Sequence, residues 1–119
     1  MSKRILIVDD SAAVRKSLRT LLEVEVEASC DEASDGRQAV TRAREWRPDL
    51  IVLDLSMPVM NGLDAAPHLK NLLPSSPIVM FTSFDDDQVR GMAASAGVQA
   101  VVNKSTPGQL VSAVRSLLS

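Results

Sequence analysis

Four uninterrupted apolar runs divide the chain, and each one ends at polar or turn-forming residues. They occupy residues 5–8, 50–53, 78–81 and 100–102. Such runs are typical of strands that are covered on both faces, as in a parallel sheet. A fifth segment, Val26 to Ala33, alternates apolar with polar residues, so we predict a half-exposed strand there, at an edge of the sheet.

Apolar residues at helical spacing follow each predicted strand, so strand and helix alternate five times. In the first helix, Val14 and Leu18 lie on the predicted inner face, whereas Arg15 and Arg19 lie on the outer face. In the fourth helix, Gly97 is the expected C-cap, and four apolar residues are predicted to face inward. These four are Val89, Met92, Ala93 and Ala96.

The starts of two helices carry specific predictions. Pro67 would remove a hydrogen bond if it lay well inside the third helix, so we expect Asp64 to be the N-cap and Pro67 to fall in the first turn. Residues 106–109, Thr-Pro-Gly-Gln, have the pattern of a capping box with Pro107 at the first helical position.

The alternation of elements predicts an α/β fold, with a doubly wound parallel sheet of five strands covered by helices on both faces. The edge character of the second strand favours the flavodoxin-like (βα)5 strand order 2-1-3-4-5. In that order, the carboxyl ends of strands one, three and four are central. Several polar residues then meet at one edge of the sheet: Asp9, Asp10, Asp54, Thr82 and Lys104.

Composition limits the range of functions. The 119 residues are enough for one domain, residues 1–119, with a core that needs no disulfide. A net charge of -2 and 3% aromatic residues argue against a direct nucleic-acid partner. Cys30 is the only cysteine, which indicates a reducing compartment, and the apolar run at residues 5–8 is too short for a signal peptide or a membrane span. We therefore expect a cytoplasmic protein.

The polar edge has the chemistry of a phosphoryl-transfer site. Three neighbouring carboxylates raise one another's pKa unless a cation shares the site, and oxygen ligands without histidine or thiolate favour Mg²⁺. Lys104 supplies a second positive charge, Thr82 a hydroxyl, and Asp54 a nucleophile that would form an aspartyl phosphate. No glycine-rich phosphate loop is present, so ATP bound by this chain is not the expected donor.

Along its whole length the chain resembles the receiver domain of two-component response regulators, and in particular the chemotaxis regulators. Asp9-Asp10 resembles the acidic pair of that family, and residues 54–62, Asp-Leu-Ser-Met-Pro-Val-Met-Asn-Gly, resemble its phosphoacceptor motif. Thr82 and Lys104 are similar to its switch hydroxyl and its lysine, in the same order along the chain.

The resemblance implies a role for each of these residues. Asp54 would accept a phosphoryl group from the phosphohistidine of a sensor histidine kinase or a histidine phosphotransfer protein. Asp10, Asp54 and the backbone carbonyl of Ser56 would bind Mg²⁺ directly, with Asp9 acting through water. Thr82 and Lys104 would then bind the phosphoryl oxygens.

The resemblance also implies how the signal leaves the domain. Phosphorylation would change the face formed by residues 83–119, which would contact an output domain or a target protein, and a phosphorylation-dependent homodimer is a further expectation. A receiver of this kind is not an enzyme, since it catalyses only its own phosphorylation and slow dephosphorylation. Neither nucleic acid nor membrane is an expected direct partner.

Two positions depart from the commoner family pattern. Val101 stands where many members have a switch tyrosine or phenylalanine, and Ser105 follows Lys104 where many have proline. Two alternatives also remain open, a pseudo-receiver that only binds partners and a phosphohydrolase acting through an aspartyl phosphate. The complete set of site residues argues against the first, and Ser56, in place of a second acid two residues after the acceptor, argues against the second.

Overall fold

A computed structural model of the chain, which describes residues 2–119, has five parallel strands in one sheet, in the order β2-β1-β3-β4-β5. The strands are β1 (Arg4–Val8), β2 (Ser29–Ala33), β3 (Leu50–Leu53), β4 (Ile78–Thr82) and β5 (Ala100–Asn103). The helices are α1 (Ala12–Glu25), α2 (Gly36–Trp46), α3 (Gly62–Leu72), α4 (Asp87–Ser95) and α5 (Pro107–Leu118). The predicted fold class and strand order are confirmed.

Alternate residues of the strands supply two apolar layers, one on each face of the sheet. In β1, Ile5 and Ile7 pack with α1 and α5, while Leu6 and Val8 pack with α2, α3 and α4. Every residue of β3 is buried. β3 contains only apolar residues. The first charged residue after it, Asp54, therefore lies just beyond the strand, at the carboxyl edge of the sheet.

The second strand lies at the edge of the sheet, as predicted, but it is shorter than predicted. It begins at Ser29 rather than Val26, because α1 continues to Glu25 and Val26 is its C-cap. Glu27 then adopts a left-handed backbone conformation with φ of 57°. The alternating pattern was therefore produced partly by the end of a helix and the turn that follows it.

The prediction of the third helix start was wrong. Asn61 is the N-cap, and its side-chain oxygen accepts a hydrogen bond from the Asp64 N–H at 2.9 Å. The helix begins at Gly62, so Pro67 lies in its interior, where it cannot donate to the carbonyl four residues earlier. At this start Gly62 lies close to the backbone of Asp54 and Leu55, just after β3, which the helix pattern alone does not reveal.

The fourth helix buries fewer residues than predicted. Val89 and Ala93 are buried, but Met92 is 43% exposed, so its predicted place on the inner face is wrong. The C-cap is Ala96 rather than Gly97, which lies one residue further on with φ of 95°. The outer surface of α4 therefore carries an exposed methionine.

The fifth helix begins at Pro107, as predicted, but without a capping box. The Thr106 hydroxyl donates instead to the carbonyl of Asn103 at 3.1 Å, and its side chain makes no capping bond to the helix backbone. The peptide bond between Lys104 and Ser105 is trans, like all others among residues 2–119.

At the amino edge of the sheet, Arg4 contacts Trp46. The Arg4 guanidinium lies 5.5 Å from the centre of the Trp46 ring, and it donates to the Trp46 carbonyl at 2.7 Å. These contacts tie the end of α2 to the start of β1. None of the helices within residues 2–119 has the length and apolar character needed to cross a membrane.

Candidate functional site

Main-chain hydrogen bonds position two acidic residues beyond the ends of their strands. The Asp9 N–H donates to the Ala33 carbonyl at 3.1 Å, and the Asp54 N–H donates to the Val8 carbonyl at 2.9 Å. The parallel pairing therefore continues one residue past β1 and β3. This continuation fixes both carboxylates at the carboxyl edge, where open α/β sheets bind their ligands.

Three carboxylates converge at this edge. One oxygen from each of Asp9, Asp10 and Asp54 lies within 4.8 Å of the other two. Asp9 and Asp54 are buried, with 2% and 4% exposure, whereas Asp10 is exposed. Hard oxygen ligands in this number, with one side open to solvent, suit a divalent cation such as Mg²⁺.

Lys104 forms an ion pair with each of the two buried carboxylates. Its ammonium nitrogen lies 2.9 Å from Asp9 Oδ2 and 3.2 Å from Asp54 Oδ2. Burial acts to lower the pKa of Lys104, but the hydrogen bond that its ammonium donates to Asp9 and the charge of Asp54 outweigh it, so the pKa is raised. Lys104 is therefore a fixed positive charge in the site.

The electrostatic balance of the site remains unfavourable for Asp54. Burial and then the negative charge of Asp9 raise the pKa of Asp54, and Lys104 offsets only part of that increase. One ammonium group does not neutralise three neighbouring carboxylates. A further cation would relieve this excess of negative charge, as expected of a site that can hold a metal ion.

Thr82 and Ser56 lie at the same edge of the sheet but not in the ion-paired cluster. Thr82 is fully buried at the end of β4, and its hydroxyl oxygen accepts a hydrogen bond from the Phe84 N–H at 3.1 Å. Phe84 itself is 56% exposed. Ser56 is exposed in the loop between β3 and α3. Val101, which stands where many family members have a switch tyrosine or phenylalanine, packs against the core.

The loop between β3 and α3 is tightly folded next to Asp54. The Gly62 N–H donates to the Leu55 carbonyl at 2.8 Å, and a Cβ atom on Gly62 would lie only 2.2 Å from the Asp54 carbonyl oxygen. Val59 has a φ of 67°, a conformation that is rare for a β-branched residue. A glycine and a strained valine thus determine the path of the chain after Asp54.

Sequence reasoning missed Arg15, which was assigned to the outer face of α1. Its Nη1 donates to the Asp9 carbonyl at 2.7 Å, and its Nε donates to Glu32 Oε1 at 3.0 Å. Helical periodicity could not have found these contacts, because they depend on the pairing of Glu32 with Ile7 in the sheet. Arg15 therefore joins the edge strand to the acidic pair.

Comparison with known proteins places these features in a family. The pattern described as the response regulator receiver domain matches residues 5–115. The chemotaxis protein CheY of Halobacterium salinarum is 36% identical over 104 residues, which are 87% of this chain and 86% of that protein. A crystal structure of a LuxR-family two-component response regulator from Aurantimonas sp. SI85-9A1 matches with a TM-score of 0.92 and 32% identity, covering 99% of this chain and 86% of that chain.

Another relative is much longer than this chain. A protein-glutamate methylesterase/protein-glutamine glutaminase of Caldanaerobacter subterraneus is 40% identical over 110 residues, which are 92% of this chain but 30% of that protein. The shared region is therefore a small part of that relative. The family match, the identities and the fold agree: the chain belongs to the response regulator receiver domain family, as its sequence motifs indicated.

Proposed function

We propose that this receiver is a phosphorylation switch in a two-component system, in which Asp54 accepts a phosphoryl group from the phosphohistidine of a sensor histidine kinase or a histidine phosphotransfer protein. The observation that carries the proposal is the placement of Asp54. Its buried carboxylate lies 3.2 Å from the Lys104 ammonium and shares a cluster with Asp9 and Asp10. This is a nucleophile beside positive charge and potential metal ligands.

The reaction exchanges one bond to phosphorus for another. An Asp54 carboxylate oxygen forms the new P–O bond while the P–N bond to the donor imidazole breaks, and the electron pair of that bond returns to the ring nitrogen. Lys104 neutralises charge on the transferred group, since its ammonium already lies against Asp54. The switch returns to its unphosphorylated state by slow hydrolysis, in which water attacks phosphorus and releases inorganic phosphate and the Asp54 carboxylate.

Mg²⁺ is the cofactor that we propose for this site. Asp10, Asp54 and the backbone carbonyl of Ser56 would hold it directly, with Asp9 acting through water. When bound, Mg²⁺ supplies neutralisation of the negative charge on the phosphoryl group. The proposal is supported by the convergence of three carboxylates and by the raised pKa of Asp54, which a cation would relieve.

The switch itself would involve Thr82. In the present conformation the Thr82 hydroxyl accepts from the Phe84 N–H, and we propose that it turns to the phosphoryl oxygens instead, together with Lys104. The segment after β4 would then move, because it loses that hydrogen bond. The face formed by residues 83–119 would carry the signal to an output domain, a target protein or a second phosphorylated copy.

We further propose that residues 1–119 act as a single receiver domain in the cytoplasm and that the domain converts no other substrate. The pseudo-receiver and phosphohydrolase alternatives are less well supported. The ion pairs of Lys104 with Asp9 and Asp54 are intact, which does not suggest lost chemistry. Ser56 offers no carboxylate to activate water for rapid hydrolysis.

The proposal is tested by incubating the chain with acetyl phosphate and measuring its intact mass, with Mg²⁺ and with a chelator. We expect one added phosphoryl group that requires Mg²⁺ and is removed by hydroxylamine. The Asp54→Asn variant should gain none, whereas Asp64→Asn, a control at an exposed carboxylate, should react like the wild type. A phosphoryl group gained equally by Asp54→Asn would contradict the assignment.

A further inference from the structure

Arg15 connects three parts of the fold with one side chain. The side chain extends from α1, donates to the main-chain carbonyl of Asp9 at 2.7 Å, and forms an ion pair of 3.0 Å with Glu32 on the edge strand β2. Its side chain is only 17% exposed, although it lies on the face of α1 that the sequence pattern assigns to solvent. The planar guanidinium carries several N–H donors in a fixed arrangement, so it can donate to both partners at once.

Asp10 depends on the main chain for its position. The Asp9 carboxylate is held by Lys104 and by the Ser11 N–H, which donates to Asp9 Oδ1 at 2.9 Å. Asp10, in contrast, takes part in none of the ion pairs formed among residues 2–119. The peptide group between Asp9 and Asp10 therefore sets where the second carboxylate points, and Arg15 holds the carbonyl of that peptide group.

We propose that Arg15 is a positioning residue for the metal site, and that Glu32 orients its guanidinium. This inference rests on the proposed function, because it assumes that the acidic cluster binds Mg²⁺. Arg15 bonds the acidic pair only through the main-chain carbonyl of Asp9, not through a carboxylate. It restricts rotation of the peptide group between the two acidic residues, so that their carboxylates remain close enough together to share one cation.

Arg19 provides a matched control one turn along the same helix. It forms an ion pair of 2.7 Å with the same Glu32 carboxylate and donates to the Cys30 carbonyl at 2.7 Å. Both arginines therefore connect α1 to β2 through Glu32. Only Arg15 also reaches the Asp9 carbonyl, so a comparison of the two separates support of the edge strand from support of the metal site.

Charge and positioning predict opposite results for Arg15→Gln. If Arg15 acted only as a nearby positive charge, its removal would leave a more negative site and would strengthen Mg²⁺ binding. If Arg15 fixes the peptide group, its removal would weaken Mg²⁺ binding, because the free site would no longer be organised. The sign of the change thus separates the two roles.

The experiment is a titration of the full chain with Mg²⁺, in which NMR shifts of backbone amides give the Kd for the wild type, Arg15→Gln and Arg19→Gln. We expect the Kd of Arg15→Gln to rise about tenfold, as for other residues that support metal ligands. The Kd of Arg19→Gln should stay close to that of the wild type. In the metal-free proteins, amide hydrogen exchange at Ser11 should be faster in Arg15→Gln than in Arg19→Gln, because the acidic loop is released.

The outcomes distinguish this inference from the proposed function. An unchanged or lower Kd in Arg15→Gln, or an equal rise in both variants, overturns the role of Arg15 alone. A wild-type chain whose Mg²⁺ binding is absent, or unaffected by Asp10→Asn, overturns both. If Arg15→Gln does not fold, Arg15→Lys replaces it, because it keeps the charge and loses the fork; a wild-type Kd in that variant also overturns the inference.

Discussion

Lys104 and Asp54 form an ion pair of 3.2 Å, although the strands that they follow, β5 and β3, are not adjacent in the sheet. β4 lies between β3 and β5, so the lysine side chain must reach past the end of the intervening strand. That strand ends at Thr82, whose carbonyl accepts from the Lys104 N–H at 3.0 Å. The same lysine that pairs with Asp54 is thus anchored through its main chain to Thr82, the proposed switch residue.

Replacement of Lys104 should destabilise the metal-free protein. Lys104→Met leaves the buried carboxylates of Asp9 and Asp54 without their cation, and we expect a loss of about 2–3 kcal/mol at neutral pH, measured by urea unfolding. Lys16→Met is the control, because Lys16 is exposed on α1, and it should change stability by less than about 0.5 kcal/mol. Equal effects of the two substitutions would show that the ion pairs of Lys104 contribute nothing.

Asp54→Asn should stabilise the metal-free protein at neutral pH. Folding raises the pKa of Asp54, so the folded state holds its proton to higher pH than the unfolded chain does. The ionised carboxylate therefore costs stability above the folded pKa, and we expect its replacement to raise the free energy of unfolding there. The gain should shrink as the pH falls toward the ordinary value of 3.8.

The measurement is urea unfolding of the wild type and Asp54→Asn from neutral to acidic pH, without metal and with Mg²⁺. Because Mg²⁺ would neutralise the wild-type carboxylates, its addition should stabilise the wild type more than the variant. A difference between the two proteins that stayed constant with pH, or grew in acid, would be inconsistent with a raised pKa for Asp54.

Gly62 and Gly91 should respond to alanine with opposite signs. A Cβ at Gly62 would lie 2.2 Å from the Asp54 carbonyl oxygen, so Gly62→Ala must displace the loop, with an expected loss of about 3 kcal/mol. A Cβ at Gly91 meets nothing within 4 Å, and this glycine lies inside α4. Gly91→Ala should therefore add about 1 kcal/mol through helix propensity. Thermal or urea unfolding checks both signs.

Val59→Asn should stabilise the loop that follows Asp54. Val59 is 77% exposed and has a φ of 67°, so its replacement loses little burial and relieves about 1 kcal/mol of backbone strain. Val24→Asn is the matched control, because Val24 is 69% exposed but lies within α1. Its stability should change by only a few tenths of a kcal/mol, since the two residues have similar helix propensities. A gain no larger at Val59 than at Val24 would argue against strain.

Hydrophobic pattern was sufficient to predict the strand order and the meeting of the acidic residues with Lys104. Both follow from local properties, because an apolar run must end where a charged residue begins, and parallel strands end at a common edge. Asp9, Asp54 and Lys104 each lie one residue past a strand, where this rule places them. The roles of these residues in phosphoryl transfer remain predictions.

The failures have a different physical origin. The start of α3 was misplaced because the proline cost was weighed without the close packing of Gly62 against the backbone of Asp54 and Leu55, which a local pattern does not contain. Met92 was misplaced because periodicity gives the centre of a buried face, while packing determines its width. The role of Arg15 was missed because its partners are Asp9, just after β1, and Glu32 in β2, and the relative register of these strands exists only in the folded sheet.

The contact between Arg4 and Trp46 has a spectroscopic consequence. Trp46 is the only tryptophan of the chain, and it lies at the amino edge, about 15 Å from the acidic cluster along the length of β1. Its fluorescence should therefore change when the Arg4 contact is lost on unfolding, and should not respond directly to a cation at Asp54. The indole should therefore report global folding without responding to a cation at the acidic cluster, so that the two processes can be followed separately in one sample.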